Sequence, residues 1–286
     1  MALKGKTLMP NGTNQISIEE LKRHAREIRK NLVRMVVRNG QGYVQQGLGA
    51  ADIFTYLYFS EAKLDPSNSE WIDRDRIFLS TAHNSALFHA TIAQRGIISM
   101  DSLSSYTDDG SKLEINVSER LGSIVEATCG SLGQALSVAA GIAISAKRHD
   151  KSYRSYVILG DGELQEGQTW EAAMFAASHN LNNLCLIIDL NFLQVEGHTD
   201  KVLKMEPIDK KFESFGWNVI MVDGHNFPDL RDAFHSASNE LKKPSVLIAR
   251  TLVGKGCVSL EGQLSHNMIL PENIAARALE ELEEEI

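Results

Sequence analysis

Asp161 and Asn191 are two oxygen-bearing side chains that each close an apolar run, with residues 163–190, 28 in all, between Gly162 and Asn191. The runs Tyr156-Val157-Ile158-Leu159 and Leu184-Cys185-Leu186-Ile187-Ile188 have the length and composition of buried strands, and the stretch between them suits one helix. The first run stops at Gly160-Asp161-Gly162 and the second near Asn191, so each strand delivers one oxygen ligand to its carboxyl end. In an open parallel sheet that edge is where ligands bind. A carboxylate and an amide oxygen suit a hard cation such as Mg2+, which keeps water and phosphate oxygens as its other ligands. Gly160 and Gly162 let the backbone turn sharply and approach an anion closely. The helix that follows is expected to aim its N-terminal amides at the same place. A metal with a diphosphate is the natural occupant.

The rest of the chain must build the sheet that holds these residues. Ser17 and Glu20 form a capping box for a helix to about Asn39, with Ile28, Leu32, Met35 and Val36 as its apolar stripe. Arg23, Arg26, Arg29, Lys30 and Arg34 are expected on its solvated face. Residues 40–47 are expected as a loop before a helix from Ala50 to about Phe59. A strand follows at 76–80, then a turn at 81–85 into a helix through Gln94, and an irregular active-site loop over 99–120. A small-residue helix is expected over 137–145. Downstream come a helix (209–215), a strand (217–222), a helix (228–241), a strand (245–251) and an acidic amphipathic helix (271–286). This alternation predicts an α/β fold, a parallel sheet covered by helices on both faces. Residues 1–16 are expected to be flexible and 17–286 to form one domain.

Composition sets limits. At 286 residues the chain sits near the upper size for one core, with 43% hydrophobic and 23% charged residues. A net charge of −8 argues against a nucleic-acid partner. Cys129, Cys185 and Cys257 are odd in number and far apart, as expected of reduced thiols in a cytoplasmic protein. No apolar run approaches a membrane span and no signal-peptide pattern opens the chain, so no membrane partner is expected.

The Gly-Asp-Gly and Asn pair resembles the thiamine diphosphate signature. The wording Gly-Asp-Gly-Glu-Leu-Gln-Glu-Gly-Gln-Thr-Trp-Glu-Ala-Ala over 160–173 resembles the transketolase family more specifically. That resemblance implies a thiamin diphosphate-binding fold, here the diphosphate-binding domain, with thiamine diphosphate and Mg2+ (or Ca2+) as cofactors. It implies Asp161, Asn191 and the Leu193 carbonyl as metal ligands. Residues 128–134, Thr-Cys-Gly-Ser-Leu-Gly-Gln, resemble the loop packed on the cofactor's rings, which implies cofactor contacts at Gly130, Ser131 and Leu132. Val195 would cover the thiazolium, and Gly160 and Gly162 would approach the diphosphate. Ser80, His83 and Ser85 match the Ser-x-Gly-His-x-Ser motif, which makes His83 a cofactor and catalytic residue. His266 matches a histidine near the diphosphate with a catalytic role. Glu166, with Glu171 beside it, resembles the glutamate that links two active sites of a dimer. Gly254-Lys255-Gly256 matches a family turn and is too short for a Walker A loop.

The chain also departs from the family. Tyr43 stands where a substrate-facing histidine is usual, Asn84 replaces a Gly or small residue, and Asn116 takes the place of a second histidine. Tyr43 and Asn116 are thus candidate substrate residues, and the ketose is expected to be unusual, a modified sugar or a sulfo-sugar. The chain resembles the N-terminal subunit of a split transketolase. The partner implied is a C-terminal subunit carrying the pyrimidine-binding domain and its catalytic glutamate, in an α2β2 assembly. The activity implied is transfer of a two-carbon ketol unit from a ketose to an aldose. Two alternatives remain open from sequence: a degenerate regulatory subunit that binds cofactor without turnover, and a subunit of another thiamine diphosphate enzyme.

Overall fold

The computed structural model describes residues 16–263 and 265–284. The segment expected to be flexible thus falls, apart from Ile16, outside the described residues, as do residues 285 and 286 of the expected last helix. The first half runs α1 (Ile18–Asn39), β1 (Gln41–Gly42), α2 (Val44–Tyr56), β2 (Arg76–Leu79), α3 (Ser85–Gln94), α4 (Gln134–Arg148), β3 (Ser155–Gly160), α5 (Gly167–Ser178) and β4 (Leu184–Leu190). The second half runs β5 (Leu193–Gln194), β6 (Gly197–His198), α6 (Thr199–Val202), α7 (Ile208–Phe215), β7 (Asn218–Asp223), α8 (Phe227–Asn239), β8 (Ser245–Arg250), β9 (Met268–Ile269) and α9 (Glu272–Glu284).

The main sheet has the order β2-β3-β4-β8-β7, and every neighbouring pair is parallel. Side chains alternate across it as strand geometry requires. Tyr156, Ile158, Cys185, Ile187, Leu247 and Ala249 join a core built with α1, α2, α3, α8 and α9. Their neighbours Val157, Leu159, Leu186, Ile188, Val246 and Ile248 join a second core with α4, α5 and α7. Both faces are covered, as the unbroken apolar runs predict. β3 and β4 are buried along their whole length and lie side by side, with Gly160 opposite Asp189. That register brings Asp161 and Asn191 to one edge.

Three local expectations need correction. Half of the glycine-rich stretch read as a loop over 40–47 is helix, because α2 begins at Val44. Gly47 sits there for close packing, since a Cβ on it would stand 2.4 Å from Leu32 Cδ1. α2 is buried all round and so carries no amphipathic signal of its start. Arg29 and Lys30 are buried rather than solvated. Arg29 grips Asp52 through Nη1 (2.9 Å) and Nη2 (2.7 Å). Burial alone would push the Asp52 carboxyl up, and the Arg29 guanidinium with His225 holds it below its ordinary value. Finally, Asp161–Gln165 forms a 3-10 turn, and the α-helix begins only at Gly167. Residues 99–120 hold only short 3-10 turns, as expected of a loop. No helix among the described residues is long and apolar enough to cross a membrane.

Candidate active site

Asp161 is almost wholly buried. Its Oδ1 accepts from the Gly162 amide (3.0 Å), and its Oδ2 accepts from the Phe192 amide (2.9 Å) and the Thr199 hydroxyl (3.2 Å). These bonds tie the end of β3 to the hairpin after β4. Asn191 donates to Asp189 Oδ2 (3.0 Å) and accepts from the Leu193 amide (2.9 Å), which fixes its amide plane. Asp189 also accepts from the Thr251 hydroxyl at the end of β8. Three carboxylates in this region are 1–3% exposed: Asp189 1%, Asp161 2% and Glu163 3%. Burial pushes Asp161 up to about 7, helped by the Asp189 charge, and pushes Glu163 up to about 7. Asp189 is raised by the same burial. None of the three has a Lys or Arg acting on it among the described residues. Negative charge this deep calls for a cation. Among the described residues no cluster of three His, Cys, Asp or Glu side chains could hold a metal. A cation here could be held by Asp161 and Asn191, with backbone, water and phosphate oxygens completing its shell.

His83 lies in the turn after β2. A Cβ on Gly160 would stand 3.3 Å from its Cε1, so the ring is packed directly over the Gly-Asp-Gly turn. The residue is half-buried, but Nε2 itself is sealed from solvent and has no hydrogen-bond partner. Burial, with the His266 ring nearby, lowers its pKa to about 3, so the imidazole is neutral. The short β1–β9 ladder, pairing Gln41 with Ile269 and Gly42 with Met268, carries His266 over the start of α2. His266 then sits edge-on to Tyr43 (5.2 Å between ring centres) and to His83 (5.3 Å). Gln46 donates to the Ser265 carbonyl (3.0 Å), its Nε2 lies 3.4 Å from His266 Nδ1, and its own Oε1 is buried without a partner. Tyr43, His83 and His266 therefore form one cluster.

The 130–133 turn flanks this cluster. Gly130 has φ +104 and donates to the Ser80 carbonyl (2.9 Å). A Cβ on Gly130 would stand 2.6 Å from Asn116 Oδ1, which places Asn116 against the turn. Leu132 is 41% and Val195 69% exposed, two apolar side chains open to contact by a ring. Glu166 lies behind Gly133, whose Cβ would meet Glu166 Cβ at 3.0 Å. Its carboxylate is exposed, as are Glu171, Met174 and Phe175 on the following helix. The structure brings Gly130 and Asn116 beside one another and His83 over Gly160, while Glu166 lies exposed beside Gly133. Gly254 is a packing turn, its amide donating to the Gln45 carbonyl (2.7 Å). Sequence reasoning missed Glu163, Asp189, Thr199, Thr251 and Gln46. A charged residue inside an apolar strand run was the available signal for Asp189, and a carboxylate directly after Gly-Asp-Gly was the signal for Glu163.

Residues 21–280 match the family model described as the thiamine diphosphate binding domain of transketolase. The chain is 36% identical to the 6-deoxy-6-sulfo-D-fructose transketolase subunit of Clostridium sp. (strain MSTE9), over 93% of this chain and 97% of that protein. It is 34% identical to one of the apulose-4-phosphate transketolase subunits of Phocaeicola vulgatus, over 86% of this chain and 88% of that one. The transketolase structure from Campylobacter jejuni superposes with a TM-score of 0.86 at 31% identity, covering 94% of this chain and 43% of that one. The chain thus spans less than half the length of that enzyme.

Proposed function

The chain belongs to the transketolase family, and from that premise we propose that it is the diphosphate-binding subunit of a thiamine diphosphate- and Mg2+-dependent transketolase. It would transfer a two-carbon ketol unit from a ketose to an aldose acceptor. The observation that carries this reading is the buried carboxylate of Asp161 beside Asn191, with no Lys or Arg acting on it among the described residues, at the sheet edge where His83 Nε2 is left unsatisfied.

In this reading Asp161, Asn191 and the Leu193 carbonyl hold the metal. Gly160 and Gly162 allow the diphosphate close, with His83 and His266 over it, and Gly130, Ser131, Leu132 and Val195 cover the rings. When bound, thiamine diphosphate supplies the nucleophilic carbon and the electron sink for breaking a carbon–carbon bond beside a carbonyl. The chain's own residues position and exchange protons. His83 stays neutral, so its unsatisfied ring nitrogen is free to bond a ligand oxygen. His266 is lowered by burial as well and serves the same end. General acid–base help of this kind is worth about 10² to 10⁴ in rate. Tyr43 offers a phenol beside both rings, and Asn116 an amide beside Gly130.

A second polypeptide would supply the pyrimidine-binding domain and its glutamate, in an α2β2 assembly. Two relatives that this chain matches over most of their length are named as subunits, which supports that arrangement. Exposed Glu166, Glu171, Met174 and Phe175 give such a chain a face to cover, with Glu166 joining one active site to the next. The relatives' names, one a sulfonated ketose and one a ketose phosphate, support a donor with an anionic far end. The test is to co-purify the chain with the product of its neighbouring gene and add thiamine diphosphate and Mg2+. Phosphorylated and sulfonated ketoses are then screened with aldose acceptors. Turnover that needs both chains and disappears in Asp161→Ala is the expected result. Tight cofactor binding with no turnover across a broad panel overturns the transfer reading.

A further inference from the structure

The 130–133 turn presents the surface assigned above to the cofactor's rings, yet almost nothing in its own side chains holds it. Gly130 and Gly133 adopt positive φ (+104 and +83), and Ser131 and Leu132 between them are exposed. Its shape is therefore set by backbone hydrogen bonds. Gly130 donates to the Ser80 carbonyl at 2.9 Å. Gly133 donates to Glu163 Oε1 at 2.8 Å, and the Ser80 hydroxyl donates to the same oxygen. Ser80 directly follows β2, and Glu163 lies in the turn after β3, so one carboxylate joins two strand ends to the far side of the turn. Gly133 is also the N-cap of α4 and, as glycine, has no side chain with which to cap that helix end. The Glu163 carboxylate sits where a helix N-terminus favours negative charge.

Packing alone does not account for Glu163. Its neighbour Leu164 is an ordinary core residue, while Glu163 is equally buried and leaves Oε2 with no partner. Burying an unsatisfied polar atom costs stability, and an apolar residue would fill the space without that cost. What an apolar residue cannot do is accept from Gly133 and Ser80 together. We propose that Glu163 is a positioning residue for the cofactor, fixing the 130–133 turn against the end of β2 so that Leu132 meets the bound rings. This deepens the reading of the site as a thiamine diphosphate site and rests on it. Glu163 acts through the turn and belongs to neither the metal ligands nor the cluster of Tyr43, His83 and His266.

The test compares Glu163→Ala, Glu163→Gln and Ser80→Ala in the full chain with its partner. Hydrogen–deuterium exchange without cofactor reads the clamp itself. The peptide spanning Cys129–Gln134 should lose protection in Glu163→Ala while β3 and β4 peptides keep theirs. Calorimetric titration with thiamine diphosphate and Mg2+ reads the consequence. Glu163→Ala should raise Kd by roughly 10- to 100-fold, the usual span for a residue supporting a binding shell, with kcat at saturating cofactor nearly unchanged. Glu163→Gln keeps an oxygen that accepts from both donors and should recover most of the loss. Ser80→Ala should fall between. Unchanged exchange in the 129–134 peptide overturns the clamp. A lower kcat with unchanged Kd overturns positioning in favour of a direct role in the reaction. Lost protection with no thiamine diphosphate binding even by the wild type leaves the clamp standing and removes the cofactor reading. Global loss of protection in Glu163→Ala with normal exchange and weak binding in Glu163→Gln also overturns the proposal, because charge and not the two acceptor bonds would then matter.

Discussion

Replacing Gly130 with alanine separates two costs that the structure places at one atom. The residue has φ +104, beyond the small left-handed basin open to residues with a Cβ. Forcing an L-residue there costs about 1–2 kcal/mol. The new Cβ would also stand 2.6 Å from Asn116 Oδ1, closer than real Cβ atoms approach. Asn116 is exposed, so its side chain can swing away and the contact should add only a few tenths of a kcal/mol by a rotamer change. Most of the loss should therefore be backbone strain. Urea unfolding of Gly130→Ala, Asn116→Ala and the double variant measures the division. The single Gly130→Ala change should cost about 1–2 kcal/mol, or roughly 2–4 °C in Tm per kcal/mol. Removing Asn116 in the same chain should restore less than half of it. Full restoration in the double variant would refute the backbone argument, and no loss in the single variant would refute both.

Asp161→Asn should leave the ligand-free chain within about 1 kcal/mol of wild type, because an amide oxygen still accepts from Phe192 and Thr199 and removal of a buried charge offsets the lost bond from the Gly162 amide. Calorimetry should nevertheless show Mg2+-dependent thiamine diphosphate binding weakened at least tenfold, about 1.4 kcal/mol or more for a lost metal ligand. His89 makes stability fall with acid. Burial holds its pKa at about 4 against an ordinary 6.5, with Nε2 on the Glu114 carbonyl and Nδ1 unpartnered. The folded chain therefore refuses a proton that the unfolded chain accepts below pH 6.5. The contribution is complete above pH 6.5 and is lost as pH falls to about 4, up to roughly 3 kcal/mol. Denaturant melts of His89→Gln across that window should show a shallower slope. Tyr43→Phe should lower kcat/KM for the ketose about tenfold, the value of one hydrogen bond, with Kd for the cofactor unchanged. A weaker cofactor Kd in that variant would move Tyr43 out of the sugar half of the site.

The parts legible in the sequence are those in which local pattern and global position agree. The runs ending at Gly160 and Ile188 had to be buried parallel strands, and their register made Asp161 and Asn191 neighbours. Residues paired across long stretches of chain were not legible. Arg29 follows Ile28 on a helix with many basic residues, and nothing local shows that Asp52 waits for it. The start of α2 was hidden because glycine was read as a loop former, when Gly47 instead lets α2 pack closely against Leu32. Glu163 was visible as a residue type, but its two donors, Ser80 and Gly133, come from segments 83 and 30 residues away.

The site divides into two halves with different supports, and that division bears on how the departures from the family pattern can be tolerated. Asp161, Asp189 and Asn191 hang from the fully buried β3 and β4 and are cross-tied by Phe192, Thr199 and Thr251. A change of residue there that breaks these ties reaches two strands at once. Tyr43, His266 and Asn116 instead come from the start of α2, from the short β1–β9 connection and from an irregular loop. A side chain in that half can change without moving the sheet. Tyr43, Asn84 and Asn116, the three positions where the sequence departs from the wording it resembles, lie in turns and loops away from β3 and β4, whereas Asp161 and Asn191, which keep it, directly follow those strands. On the proposed function, the ends of rigid strands would thus carry the groups every reaction with the cofactor needs. On the same proposal, turns and helix ends would carry the groups that choose the sugar, and a new specificity could arise there while the groups proposed for metal and diphosphate stay where the sheet puts them.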